Sequence, residues 1–559
     1  MPDTLPRTRY IRDTRELGWL EGVTINSASS EASEKKPLCH FFGGIPYGLP
    51  PIDEHRFRQA RPLPQTWRYG TRSNPARFTG ECSVCPQPKA KGATGEKHWD
   101  ENCLQLNIYI PVGAPPPKGW PVFFYIHGGF LQCGSPNNKP EAMARLLGET
   151  EFQAIIVAPA YRLNVLGFLA SRELQSEAYS VGEPAGNQGL WDQRLALEWT
   201  ARNIRVFDGD AENITVGGYS AGAYSVFHQL AHELFQETTR KPIIRRVIMW
   251  GNGPGVQPRS MSEQQRQFDE LLGVLDISLA LPVKEKLQRI RATAASKLVA
   301  AIEDMQLTEF KPWSDGIFVP RDLFKHINKG EFARRMKQRG IALMNGECRD
   351  EHHVYQQWRT PLDSYDAMYT RLCADYPERA VKAILAHHCG GGGSKQALLP
   401  AGMKDWREAF GHIYANTQIH LLERGFNDAL VRGGLEVGKD LLRYRIEWRA
   451  KLTDGMFPLE WGVTHSSDLA IWFWGMNIGG GLSEDEKRVL RPWNERFARF
   501  VQGKDVPWAA GGEREMLRLN ANGETEVWTD EDWEEGVELW RVVNGGVSPG
   551  LLSWMKSRL

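Results

Sequence analysis

The chain has 559 residues, 41% of them hydrophobic and 24% charged, and its 68 Lys plus Arg balance its 68 Asp plus Glu. A chain of this length has a prior of about three or four domains. It is long enough to bury a large core and a recessed pocket. The even charge excludes a dominant basic stripe for nucleic acid or an acidic tail.

No apolar run reaches the length of a membrane-spanning helix. The polar start, MPDTLPRTRYIRDTRELGW, lacks the hydrophobic run of a secretory signal. The eight cysteines are dispersed, unlike those of a small disulfide-bonded domain. These features predict an intracellular protein with neither a membrane span nor a nucleic-acid partner.

Short Val, Ile and aromatic runs at 122–126, 155–158, 214–216, 247–250, 341–344 and around 442–448 predict buried strands. Helices are predicted between them. One carries Trp191, Leu195 and Trp199, spaced four apart on one face; another begins after Ser220 and carries Val226, Phe227, Leu230 and Leu234. This alternation predicts an α/β fold with a mostly parallel central sheet covered by helices on both faces. Residues of about 260–440 are richer in helical pattern. They are expected to form an insertion over the site within one catalytic domain, 1–559. The glycines at 390–393 with Ser394 read as a flexible loop, and no Lys-Ser/Thr helix start follows to make a phosphate cradle. The ending Ser557, Arg558, Leu559 is either a variant of the Ser-Lys-Leu peroxisomal address, read by an import receptor, or a chance terminus.

The run ITVGGYSAG at 214–222 reads as strand, tight turn and helix, with Gly218, Ser220 and Gly222 in the Gly-x-Ser-x-Gly pattern of a nucleophile elbow. Such a turn is too sharp for side chains at the glycines. It lifts the serine oxygen above the sheet and aims a helix N-terminus at developing negative charge. The five-residue pattern is weak alone; its flanking strand and helix make it specific. The strand at 122–126 ends in HGGF, 127–130. With the N–H of Ala221, the amides of Gly129 and Phe130 could hold an oxyanion. The bland alternative is an ordinary Gly-Gly turn.

These residues resemble the type-B carboxylesterases, the group that includes cholinesterases, from about residue 20 to near 530. Supporting blocks are FGGIPY at 42–47 with Arg56 and Phe57, ENCLQLN at 101–107, YRL at 161–163, GFL at 167–169, NQGLWDQ at 187–193, Asn203 with Ile204, and FDGD at 207–210. GECRDEH at 346–352 is similar to the family's acid segment, with His352 for its final Gly, and GVTHSSD at 462–468 to its histidine segment. The resemblance implies the α/β-hydrolase fold. It also implies Ser220 as nucleophile, Glu351 as acid with Asp350 as its rival, and His465 as base. The oxyanion donors are Gly129, Phe130 and Ala221. No metal or organic cofactor is implied, and the partner is a small-molecule ester.

In the family, cysteines placed as Cys85 and Cys103 form a disulfide. An intracellular location argues against it here, and Cys82 competes. Asn213 begins a glycosylation sequon that abuts a buried strand and reads as unused. His352 and His353, taken as strand neighbours pointing to opposite faces, are expected to be structural. The family's Glu before the nucleophile is replaced by Tyr219, and its small residue after His-Gly-Gly by Phe130. Both are expected to touch substrate, Phe130 from the pocket wall, and Tyr219 also to alter the hydrogen bonding around the nucleophile without abolishing attack. The intracellular fungal branch looks similar at these points.

The reading that follows is hydrolysis of a medium-sized, largely apolar ester or lactone. The alternatives are acyl transfer or cyclisation on the same residues, and a cholinesterase-like binding protein without catalysis.

Overall fold

The computed structural model describes residues 5–28, 35–88, 99–138, 140–236, 241–390, 397–476 and 481–545. Ser557, Arg558 and Leu559, and the loop after Gly390, lie outside the described residues.

The most apolar runs make the middle of one thirteen-stranded sheet. In chain order its strands are β1 (Arg7–Asp13), β2 (Trp19–Asn26), β3 (Pro37–Pro46), β4 (Ala76–Arg77), β5 (Gln105–Pro111), β6 (Trp120–Ile126) and β7 (Ile155–Pro159). They continue as β8 (Gly209–Tyr219), β9 (Ile244–Trp250), β10 (Ala342–Cys348), β11 (Leu441–Ile446), β12 (Glu515–Leu519) and β13 (Thr525–Thr529). The spatial order is β1-β2-β3-β5-β7-β6-β8-β9-β10-β11-β12-β13, with β4 beside β2. Pairing is parallel from β7 through β12, and antiparallel from β1 to β7 and at β12–β13.

Every residue of β6 and β7 is buried, as a strand covered on both faces requires. Alternate side chains feed two cores. Val122, Phe124 and Ile126 enter one, and Phe123 and Tyr125 the other. Helices Gln188–Asn203 and Ala221–Phe235 pack into the first core and helix Glu484–Gln502 into the second.

The six strand expectations match β6 to β11. Helix Gln188–Asn203 forms, but its face differs from the expected one. Trp191 and Leu195 are only half-buried, and the covered side carries Asp192, Gln193 and Arg194 as well as Leu190 and Leu197. The reason is a polar seam: Asp192 takes a two-pronged ion pair from Arg162, at 2.8 and 2.7 Å, and Gln193 donates to Ser225. The helical stretch 260–440 is divided by β10, so two groups of helices, not one, rise from the sheet. None of the described helices is long and apolar enough to cross a membrane.

Parallel register aligns the carboxyl ends of the central strands. Ile126 pairs with Gly218, and Tyr219 with Trp250. The loops after β6, β8 and β10 therefore open on one edge, where chemistry in such sheets is built.

Candidate active site

Ser220 sits between β8 and helix Ala221–Phe235 with φ 56° and ψ −123°, a conformation that costs a non-glycine residue about 1–3 kcal/mol and persists only where surroundings enforce it. They do here. The Ser220 N–H donates to Trp250 O at 2.8 Å. A Cβ on Gly222 would stand 2.0 Å from Ile126 O, so the elbow closes on β6 only with glycine there.

After β6 the chain turns through Gly129 (φ 112°), Phe130 (φ 60°) and Leu131 (φ 66°). A Cβ on Gly129 would meet Cys133 O at 2.0 Å. Gly129 O accepts from the amides of Gln132 and Cys133, both at 2.9 Å. Among the described residues, the amides of Gly129, Phe130 and Ala221 have no acceptor. Phe130 O accepts from Lys311 Nζ at 2.9 Å and Gln132 Nε2 at 3.3 Å. The Phe130 ring lies flat on Trp358, 4.3 Å between centroids and 4° between planes, and meets Tyr355 edge-on.

His465 and Glu351 meet at the end of β10. His465 Nδ1 lies 2.5 Å from Glu351 Oε2, and the Cys348 N–H donates to Glu351 Oε1 at 2.7 Å. Both side chains are buried. His465 Nε2 is buried and without a partner among the described residues, so one ring nitrogen is fixed and the other is open to take a proton. Burial drives the imidazole pKa down to about 4 and pushes the Glu351 carboxyl up, with Asp468 adding to the rise. The imidazole is thus neutral at pH 7, the form a base needs. Tyr355 stands beside them: it lines the same pocket as Ser220, and its ring lies 4.9 Å from that of His465.

Asp350, the rival acid, points elsewhere. It accepts the Val463 N–H at 2.8 Å and pairs with Arg349 at 3.0 Å, bracing the loop before His465. Tyr219, expected against substrate, is instead buried behind the histidine. Its hydroxyl accepts the Ser466 N–H at 2.5 Å and lies 3.4 Å from His465 Nδ1. The physical reason is the period of two along β8, which turns residue 219 away from the pocket that receives Ser220. Asp468 stands in the same buried corner and accepts from Trp472 Nε1 at 3.0 Å.

The lining of the pocket in front of Ser220 falls into two sets by chemistry. An apolar and phenolic set, Phe130, Leu131, Ala221, Tyr224 and Tyr355, we call the near wall. A charged and polar set, Arg259, Lys311, Asp375 and Gln418, we call the far wall. Sequence reasoning missed Tyr355, though it stands four residues after Glu351, one helical turn on. It also missed the far wall, whose residues carry no motif.

The family's disulfide, argued against above, is not formed: Cys85 and Cys103 are free thiols, and Cys82 donates to Asn107 at 3.2 Å. His352 and His353 lie on a helix, His352–Gln357, not a strand. Their rings are 4.0 Å apart, and His352 stacks on His412 at 3.8 Å. Among the described residues one group has the spacing of metal ligands, His387, His388 and Glu535, on other helices than those that carry Ser220, Glu351 and His465.

A family model described as the carboxylesterase family matches residues 11–530. A "carboxylic ester hydrolase" from Gibberella moniliformis is 51% identical over 546 residues, covering 98% of each chain. An uncharacterized esterase/lipase from Schizosaccharomyces pombe is 34% identical over 545 residues, covering 95% of this chain and 96% of its own. Among solved structures, a thermophilic PNB esterase superposes with a TM-score of 0.70 at 21% identity, covering 95% of this chain and all of the other, a likeness of fold. With the family model spanning nearly the whole chain and these relatives matched end to end, the chain belongs to the carboxylesterase family.

Proposed function

We propose that the protein hydrolyses carboxylic esters through an acyl-enzyme on Ser220. The observation that carries this reading is the His465–Glu351 pair, with its open Nε2, beside a strained serine and three free amides. Ser220 Oγ attacks the ester carbonyl while His465 Nε2 takes its proton. Glu351 holds the Nδ1 proton in place and stabilises the imidazolium. The amides of Gly129, Phe130 and Ala221 bind the oxyanion, each worth about 3 kcal/mol of barrier. His465 then protonates the leaving alcohol. Water, activated by the same nitrogen, releases the acid and frees Ser220.

Tyr219 and Asp468 position the imidazole from behind. The near walls of the pocket suit an apolar group beside the scissile carbonyl. The name of the Gibberella relative supports the ester class, and the fungal branch of the family is the proposed one.

The test is p-nitrophenol release from p-nitrophenyl butyrate by the wild type and by Ser220→Ala. Steady turnover that disappears in the variant is expected. Equal turnover by both would refute the assignment, and a burst without turnover would point to acyl transfer.

A further inference from the structure

The two halves of the pocket differ in charge. Arg259 is 3% exposed, yet its guanidinium reaches only neutral acceptors. It donates to Gln267 Oε1 and Glu309 O, at 3.3 and 3.2 Å, and to the carbonyls of Cys373 and Ala374. Among the described residues its Nε–H has no acceptor. Lys311 stands on the same wall, 3.2 Å from Asp375 Oδ1. Asp375 is itself held by Arg371 at 2.5 Å, and Glu309 by Arg359 at 3.3 Å and Arg371 at 3.6 Å. The linked cluster therefore sets four cations, Arg259 and Arg371 buried and Lys311 and Arg359 half-buried, against two buried carboxylates, Asp375 and Glu309. Glu303, which pairs with Arg359, has a side chain 58% exposed. The one carboxylate on the pocket wall, Asp375, is bonded to two other cations; it, Glu263 and Glu309 act on Arg259 only through space, and among the described residues no carboxylate is bonded to its guanidinium.

A cation kept from water without a counter-charge is unfavourable, and a charge-assisted bond to an anion relieves it. We infer that this far wall is a carboxylate subsite, and that the ester cleaved at Ser220 carries an acid group at the end remote from its scissile carbonyl. The inference rests on the hydrolase reading and narrows its substrate class. The apolar wall beside Ser220 would hold the middle of such a substrate, Arg259 and Lys311 its end.

The test compares esters matched in length. p-Nitrophenyl monoesters of adipic and suberic acids are set against p-nitrophenyl hexanoate and octanoate, and 4-acetoxybenzoate against its methyl ester, which moves the carboxylate to the alcohol side. Uncatalysed rates are subtracted. In the wild type, kcat/KM is expected to favour the acid-bearing member of at least one set by roughly tenfold or more. In Arg259→Gln that ratio should fall to near unity. Because Arg259 also ties four main-chain and side-chain acceptors together, its variant could unfold. A second measurement on the wild type guards against that: adipate should inhibit hexanoate-ester cleavage competitively, and adipamide should not. Equal or higher kcat/KM for the neutral member in every set overturns the subsite while leaving the hydrolase intact. Failure to cleave any of these esters overturns the hydrolase reading and the subsite with it.

Discussion

The near and far halves of the pocket are built by different means. Around Ser220 the backbone does the work: Gly129 and Gly222 sit where a Cβ would stand 2.0 Å from a carbonyl oxygen, and Ser220, Phe130 and Leu131 are held at positive φ. Around Arg259 side chains do the work, as carbonyl contacts and ion pairs, with Arg259 and Lys311 on loops and Asp375 at the end of helix Tyr365–Asp375. The contrast teaches that reaction geometry and substrate choice are separable here. On this reading, changes to the backbone turns of the near half should act on every ester alike, and changes to the lining side chains, the Phe130 ring and the far wall, on the choice among esters.

The largest effect that would break this division is at the base. His465→Ala should lower kcat by about 10⁴-fold for all esters. A loss confined to some substrates would contradict it. In the wild type, the acid limb of kcat/KM reports the free imidazole. Since burial lowers that group to about 4, activity should persist as pH falls past the ordinary histidine value of about 6.5 and drop only as His465 takes a proton nearer 4. An acid limb at 6.5 or above would mean the imidazole is better solvated than this site allows.

Next comes Lys311, which joins the halves by bonding both Phe130 O and Asp375. Lys311→Met should lower kcat for all esters by about tenfold, through a looser turn at Phe130 and a buried Asp375 left with Arg371 as its one ion-pair partner among the described residues. It should also reduce any preference for acid-bearing esters. Steady-state kinetics on matched pairs would separate the two losses. Tyr219→Phe removes the acceptor of the Ser466 N–H but no substrate contact, so kcat should fall by about tenfold or less while chain-length preference holds. A changed preference would return Tyr219 to the substrate wall.

Smallest is Phe130. Either Phe130→Ala or Phe130→Gly removes the ring from Trp358 and should widen the range of acyl groups accepted. At φ 60° glycine is unstrained and alanine costs about 1 kcal/mol. The glycine variant should therefore melt at the same temperature as the alanine variant or higher. An unchanged chain-length profile would place the ring outside the substrate's path.

The same division decides what the sequence made legible. Backbone-built features leave fixed marks, because a tight turn admits few residues: Gly218, Ser220 and Gly222, and the glycines after His127, mark their turns directly. Glu351 and His465 could be placed through their segments, while contact between them, 114 positions apart, is a matter of the fold. The far wall was not legible, since Arg259 and Lys311 lie far apart in the segment between β9 and β10, Asp375 comes from the segment after β10, and no spacing relates them. Helix Gln188–Asn203 misled for a related reason. Its aromatic residues suggested the buried face, but the Arg162–Asp192 pair and the Gln193–Ser225 bond cover a polar one. Tyr219 shows the limit of a motif, which gave its position beside the nucleophile but not the side of the strand it faces.

The central claim is that Ser220 is the nucleophile and that His465 activates it. It is tested most directly by intact mass and peptide mapping after treatment with a fluorophosphonate. The account predicts one adduct per chain, on Ser220, forming at least about a thousandfold more slowly in a folded His465→Ala variant. An adduct on another residue, or labelling of Ser220 at the same rate without His465, would contradict it.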